Sequence, residues 1–156
     1  MDETVLREVF ETALAEHVPG FGTFFLARLL ELEISYPDEK CRITFPIRAH
    51  FFNPGGTLHG GIIATVMDIS MGHLLRHALG AGGATLQMNL NYLRPLTEGQ
   101  AVCESRFLRR GRSICHLESQ IFQVTGQPAA SATATWKPRP IAAVTQRRDG
   151  TPAPAP

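Results

Sequence analysis

Apolar side chains first recur at three- and four-residue intervals: over residues 2–17, Val5, Val9, Phe10, Ala13 and Leu14 stand among acids and one arginine. That spacing predicts an amphipathic helix, which Pro19-Gly20 would end. Over residues 27–35 the period shortens to two, with Leu30, Leu32 and Ile34 alternating with Glu31 and Glu33, so a strand is expected. Tyr36-Pro37-Asp38-Glu39 reads as a turn and residues 41–51 as a second strand. A loop, Asn53-Pro54-Gly55-Gly56-Thr57, then leads into the one long apolar run, residues 61–79. The run is too long for a strand and apolar nearly all round. It predicts a helix buried inside the fold, ended by Gly80, Gly82 and Gly83.

Four further segments alternate like strands: residues 84–93, 100–109, 113–124 and 129–136. In the first, Thr85, Gln87, Asn89 and Asn91 alternate with Leu86, Met88, Leu90 and Tyr92, so a polar stripe is expected to face away from the helix. From Lys137 the chain is proline-rich and lacks large core side chains. Residues 138–156 therefore read as a disordered tail behind a single domain of residues 1–137. The order of elements predicts an α+β fold, a long central helix wrapped by an antiparallel sheet of five to six strands.

Composition narrows the function more than the fold. The chain has 156 residues, 44% apolar and 19% charged, which are globular values. A net charge of +1 gives no general pull toward nucleic acid or an anionic membrane, so an anionic ligand would need local basic residues. The apolar run holds Asp68, His73, Arg76 and His77, which argues against a membrane span. Cys41, Cys103 and Cys115 are odd in number and form no CxxC pair, so reduced thiols in a soluble cytoplasmic protein are expected. His73 and His77 share a helix face, but no third metal ligand is evident and no metal or cofactor is expected.

The candidate chemistry lies at His59-Gly60-Gly61 and at Asp68. Adjacent glycines cost a helix about 1 kcal/mol each relative to alanine, so they make sense if something approaches the backbone closely, the alternative being a glycine-rich turn that simply enters a helix. The first N–H groups of a helix lack intrahelical partners, and a carbonyl oxygen gathering negative charge is stabilised there. Asp68 is the only acid between Glu39 and Glu98, and it stands in the middle of the most apolar segment. Two structural explanations stay open for it: the N-cap of a second helix, or a carboxylate satisfied by hydroxyls. Eight residues of helix separate Gly60 from Asp68 by about 12 Å. If both act on one carbonyl, they come from two chains across a two-fold axis.

The run Asn53…Gly56-Thr57-Leu58-His59-Gly60-Gly61…Asp68, followed by Asn89-Leu90-Asn91-Tyr92-Leu93-Arg94-Pro95, resembles the phenylacetate-pathway branch of the hotdog acyl-CoA thioesterases. The resemblance covers about residues 25–137. It implies a hotdog fold, homodimers or dimers of dimers, an acyl-CoA substrate and metal-free hydrolysis of its thioester. By the same resemblance Asp68 activates water or attacks the thioester, and the Gly60 N–H polarises the carbonyl beside His59 and Gly61. Asn53 would position water or the carbonyl, and Thr85 would bond near the attacking water. Arg112 and Ser113 would stand near the coenzyme A phosphates. Two other readings remain beside this one: a hydratase or dehydratase of acyl thioesters using His50 or His59, and an acyl-CoA binding domain without turnover.

Overall fold

The computed structural model describes residues 2–139, and the residues expected to form the tail from 140 onward lie outside them. Helix α1 (Glu3–Glu16) and a short α2 (Phe25–Leu29) precede β1 (Glu33–Ser35) and β2 (Cys41–Pro46). A 3-10 turn (Ala49–Phe51) then leads to α3 (Gly60–Leu79), followed by β3 (Gly82–Tyr92), β4 (Gln100–Arg109), β5 (Cys115–Gln123) and β6 (Pro128–Arg139). The six strands form one antiparallel sheet in the order β1-β2-β4-β5-β6-β3. This is the hotdog arrangement expected from the sequence, with α3 against one face of the sheet. The last strand runs to Arg139, two residues past the expected end of the domain at residue 137.

The core forms where α3 meets the sheet. Val66, Met67, Met71, Leu74 and Leu75 are inaccessible, and they pack with Ile43, Phe45, Cys103, Leu117 and Ile121. Each such aliphatic side chain contributes about 1.5–3 kcal/mol on leaving water. The strand covering the helix beside β3 is built from Ala130, Ala132 and Ala134, whose small size lets the helix lie close. Trp136 closes that side over Gly72, where an added Cβ would stand 3.1 Å from the indole. Gly80, at φ 62°, ends α3 in the left-handed cap that glycine favours. Among the described residues, no helix is long and apolar enough to cross a membrane.

Two expectations need correction. Residues 27–35 were expected as one strand, but α2 occupies Phe25–Leu29 and only Glu33–Ser35 pairs in the sheet. Leu30 and Leu32 are buried as the alternation requires, yet Glu31 turns the chain with φ 51° and its carboxylate takes both Nε and a terminal nitrogen of Arg48 at 2.7 Å. Period two over so few residues does not separate a strand from a turn with two inward leucines. The second strand stops at Pro46, which has no N–H for the ladder, and residues 49–51 coil into the 3-10 turn.

The turn between β1 and β2 stores strain. Asp38 and Glu39 have φ of 50° and 58°, consecutive left-handed positions without a glycine. Glu39→Gly should therefore raise the denaturation midpoint, by a stabilisation of about 1 kcal/mol. An unchanged midpoint would show that the turn costs little.

His73 does not decorate the helix surface but is 3% exposed, its Nδ1 2.8 Å from the Tyr36 hydroxyl. Burial, aided by the Arg76 charge, pushes its pKa from 6.5 down to about 4. The unfolded chain thus takes up a proton between those values that the native state refuses. Stability from this group is intact above pH 6.5 and falls as the pH drops toward 4, by up to about 3 kcal/mol. Urea unfolding of the protein and of His73→Leu across that window checks this, because the variant should lose less on acidification.

Candidate active site

The loop before α3 is organised by Asn53. Its Oδ1 accepts from the Gly55 N–H at 2.9 Å and the Thr57 N–H at 3.4 Å, while Nδ2 donates to Thr57 Oγ1 at 3.0 Å. Leu58 is buried and its N–H donates to the Leu96 carbonyl at 2.8 Å, which ties the loop to the β3–β4 connection. The His59 N–H donates to Phe51 O at 2.9 Å. The chain therefore enters α3 at a fixed angle, with His59 as N-cap.

Each of the paired glycines admits one ring. The Tyr92 hydroxyl donates to the Gly60 carbonyl at 3.0 Å, and a Cβ on Gly60 would lie 2.9 Å from that oxygen. The Gly61 N–H donates to His59 Nδ1 at 2.9 Å, and a Cβ there would stand 3.1 Å from the same nitrogen. What approaches the backbone closely is thus first of all two side chains of the protein. The Gly60 N–H has no partner among the described residues. The carbonyl of its own peptide, His59 O, accepts from the Ile62 and Ile63 N–H groups at 2.9 and 3.2 Å. Both bonds polarise that peptide and strengthen Gly60 as a donor. A groove of about 520 Å³ opens beside it, lined by Asn53, Thr57, His59, Gly60, Tyr92 and Arg94 among others.

Asp68 lies midway along α3, half-buried, and Thr85 Oγ1 donates to its Oδ1 at 2.6 Å. Because α3 runs unbroken, Asp68 is not the N-cap of a second helix. Thr85 reaches it through an irregularity in β3. The register against β6 shifts between Thr85 and Gln87, leaving Leu86 as the extra residue. Without that bulge Thr85 would share the side of Gln87 and Asn89, which line a recess with His116 and Thr133. The bulge turns Thr85 to the helix side, so it departs from the polar stripe expected of it.

The two halves do not meet within the chain. Asp68 is absent from the lining of the groove at Gly60, and the helix separates them by about 12 Å. β3 forms one edge of the sheet, eleven residues long without a charged side chain, and Leu86 and Tyr92 on it are 54% and 57% exposed.

Arg112 and Ser113 are exposed in the β4–β5 turn. Arg112 lines a groove with Arg110 and Arg139 at the C-terminal end of α3, and Arg110 also donates to the Ala78 carbonyl. The sequence reading named neither Arg110 nor Arg139, which only the folding of β4 and β6 around the helix end brings to Arg112. Tyr92 was expected only as an apolar position of the alternating strand and as part of a motif, without a role at the site. Its place at the end of the helix-facing set Met88, Leu90, Tyr92 was the available signal.

The remaining candidates stand apart. His50 is absent from the lining of the Gly60 groove, and burial, with the Arg48 charge second, lowers its pKa. All three cysteines are buried, and burial pushes the Cys41 thiol up to about 12 and the Cys103 thiol to about 11. Such thiols are packing groups rather than nucleophiles. Among the described residues no three histidine, cysteine or acidic side chains gather closely enough to hold a metal ion.

Comparison with known proteins identifies the family of this fold. A family model described as the thioesterase superfamily matches residues 55–130, the span from the α3 loop into β6. Acyl-coenzyme A thioesterase 13 of Mus musculus is 34% identical over 113 residues, 70% of this chain and 76% of that protein. The structure of a phenylacetic acid degradation-related protein from Ralstonia eutropha JMP134 superposes with a TM-score of 0.69 at 29% identity, covering 83% of this chain and 98% of that one. A Streptococcus mutans protein solved with acetyl-CoA gives 0.65 at 25% identity, over 70% of this chain and 89% of its own. With a helix wrapped by one antiparallel sheet, a polarised free N–H at the helix start and a carboxylate on the same helix, this chain belongs to the thioesterase superfamily and is a hotdog-fold thioester hydrolase.

Proposed function

We propose that the protein hydrolyses acyl-CoA thioesters in a site shared between two copies, with the Asp68 carboxylate of one copy and the Gly60 N–H of the other. The observation that carries this reading is the Thr85–Asp68 hydrogen bond of 2.6 Å on a helix whose free N–H lies about 12 Å away. Asp68 accepts a proton from water, or attacks the carbonyl carbon itself. Thr85 holds one carboxylate oxygen so that the other faces the reacting centre. The oxygen of the thioester carbonyl takes the Gly60 N–H as its charge grows. Asn53 keeps the loop rigid and retains a second amide hydrogen for water or substrate, beside His59 and Gly61. The acyl group and the tetrahedral carbon lie between the copies.

The β3 edge supports the pairing. A long uncharged edge strand is an unprotected template, and antiparallel pairing with its own copy satisfies it. Pairing centred on Asn89 sets Tyr92 of one copy opposite the Leu86 bulge of the other, three residues to either side. Tyr92 bonds Gly60 and the bulge aims Thr85 at Asp68, so this register joins the two half-sites. The coenzyme's phosphates find Arg112 with Arg110 and Arg139 beside Ser113, where three guanidinium groups face one groove.

Asp68→Asn keeps the side-chain volume but can neither take a proton nor attack. Thiol release from a panel of acyl-CoA esters should fall by about 10²–10⁴-fold with the fold intact. Full activity in this variant would remove Asp68 from the mechanism. Enoyl-CoA hydration, assayed in parallel, should be absent; its presence without thiol release would favour the hydratase reading.

Subunit mixing tests the shared site separately. Asp68→Asn and Asn53→Ala homodimers are each expected to be inactive, whereas their heterodimer holds one site with both lesions and one intact. Activity should reappear as the subunits exchange. No recovery, with exchange verified by mass, would confine each site to one chain.

A further inference from the structure

We propose that Tyr92 is a positioning residue of this site, acting through the Gly60–Gly61 peptide to hold His59 in the tautomer that offers its Nε2–H to the substrate. The inference rests on the thioesterase reading above and adds a second donor to the Gly60 N–H. Three groups form an unbroken series of hydrogen bonds. The Tyr92 hydroxyl donates to the Gly60 carbonyl at 3.0 Å, and the N–H of that same peptide, on Gly61, donates to His59 Nδ1 at 2.9 Å. A nitrogen that accepts from an amide N–H is unprotonated, so the single proton of the neutral ring is on Nε2. That Nε2–H has no partner among the described residues, and the imidazole lines the groove beside the Gly60 N–H. Donation into one end of a peptide strengthens donation from its other end, so the tyrosine hydroxyl biases the imidazole two bonds away.

The arrangement accounts for both glycines at once. A side chain at position 60 would meet Tyr92 Oη at 2.9 Å and its ring carbon at 3.0 Å, and one at position 61 would meet the His59 ring at 3.1 Å. Each glycine is the space through which one ring reaches the peptide between them. An oxyanion is held best by two donors aimed at one point. Gly60 N–H supplies one, and the Nε2–H tautomer makes His59, which lines the same groove, available as the other. Within one chain Tyr92 is 57% exposed, so there the bond to Gly60 rather than burial explains the place of its hydroxyl.

Tyr92→Phe removes the hydroxyl and keeps the ring, so the fold and the packing over Gly60 stand. Thiol release should show kcat lowered about ten-fold with KM nearly unchanged. Nitrogen NMR of the labelled histidines should find His59 with a protonated Nε2 in the parent, and a mixture of the two tautomers in Tyr92→Phe. In a His59→Ala background, Tyr92→Phe should cost nothing further, because the group through which it acts is gone. Undiminished kcat in Tyr92→Phe, an unaltered His59 spectrum, or an equal loss in both backgrounds would each overturn the proposal. The tautomer spectrum needs no substrate. A parent protein that releases no thiol would therefore reject the thioesterase reading, while the spectrum alone decides the hydrogen-bond series.

Discussion

The rest of the molecule depends on α3 being one rigid rod against the sheet. Its buried side, from Ile63 through Leu75, meets apolar residues of the five strands that cross it, and this contact makes up most of the core. A rod anchored along its length cannot bend to bring its own start to its middle. Gly60 and Asp68 are therefore held apart by the same packing that stabilises the domain. The separation is a consequence of stability, and it is why the proposed site draws its carboxylate and its N–H from different copies.

Both Gly60 and Asp68 are then met by β3, which lies along the helix at the sheet's edge. At one end Tyr92 reaches the Gly60 carbonyl, and at the other the Leu86 bulge turns Thr85 onto Asp68. A strand in perfect alternation could not do both, because positions 85 and 92 differ in parity and would face opposite sides. One extra residue between them puts both on the helix side. The bulge is therefore what lets one strand make both contacts, and its cost is a single lost rung of the ladder.

Polar groups within the core follow the same economy of partners. Ser105 donates to Ser70 at 2.7 Å, the Cys103 thiol lies 3.1 Å from the Ser119 hydroxyl, and Tyr36 meets His73. His73 is kept neutral by its surroundings, and His77 stacks on Tyr36 at 4.0 Å between ring centres. The two histidines that a helical spacing would offer to a metal are thus occupied with one tyrosine. At the other end of the chain, α1 packs mainly on α2, with Phe10 edge-on to Phe25, and most of its apolar side is exposed.

The amino-acid sequence by itself determined the order of the long elements, because long periodic runs such as residues 61–79 and 100–109 leave one reading for each. It also determined the candidate chemistry: an isolated acid in an apolar helix and two glycines at its start are physically expensive and so conspicuous. The 27–35 segment was misjudged because two inward leucines fit a turn as well as a strand, and Glu31 was settled by its distant partner Arg48. Only the tertiary structure decided which rings fill the space left by Gly60 and Gly61, since Tyr92 lies thirty-two residues from Gly60 in the chain. It alone revealed the bulge that re-aims Thr85, because a one-residue insertion leaves no mark on an alternating pattern. And it alone gathered Arg110, Arg112 and Arg139, which three separate segments bring to the end of one helix.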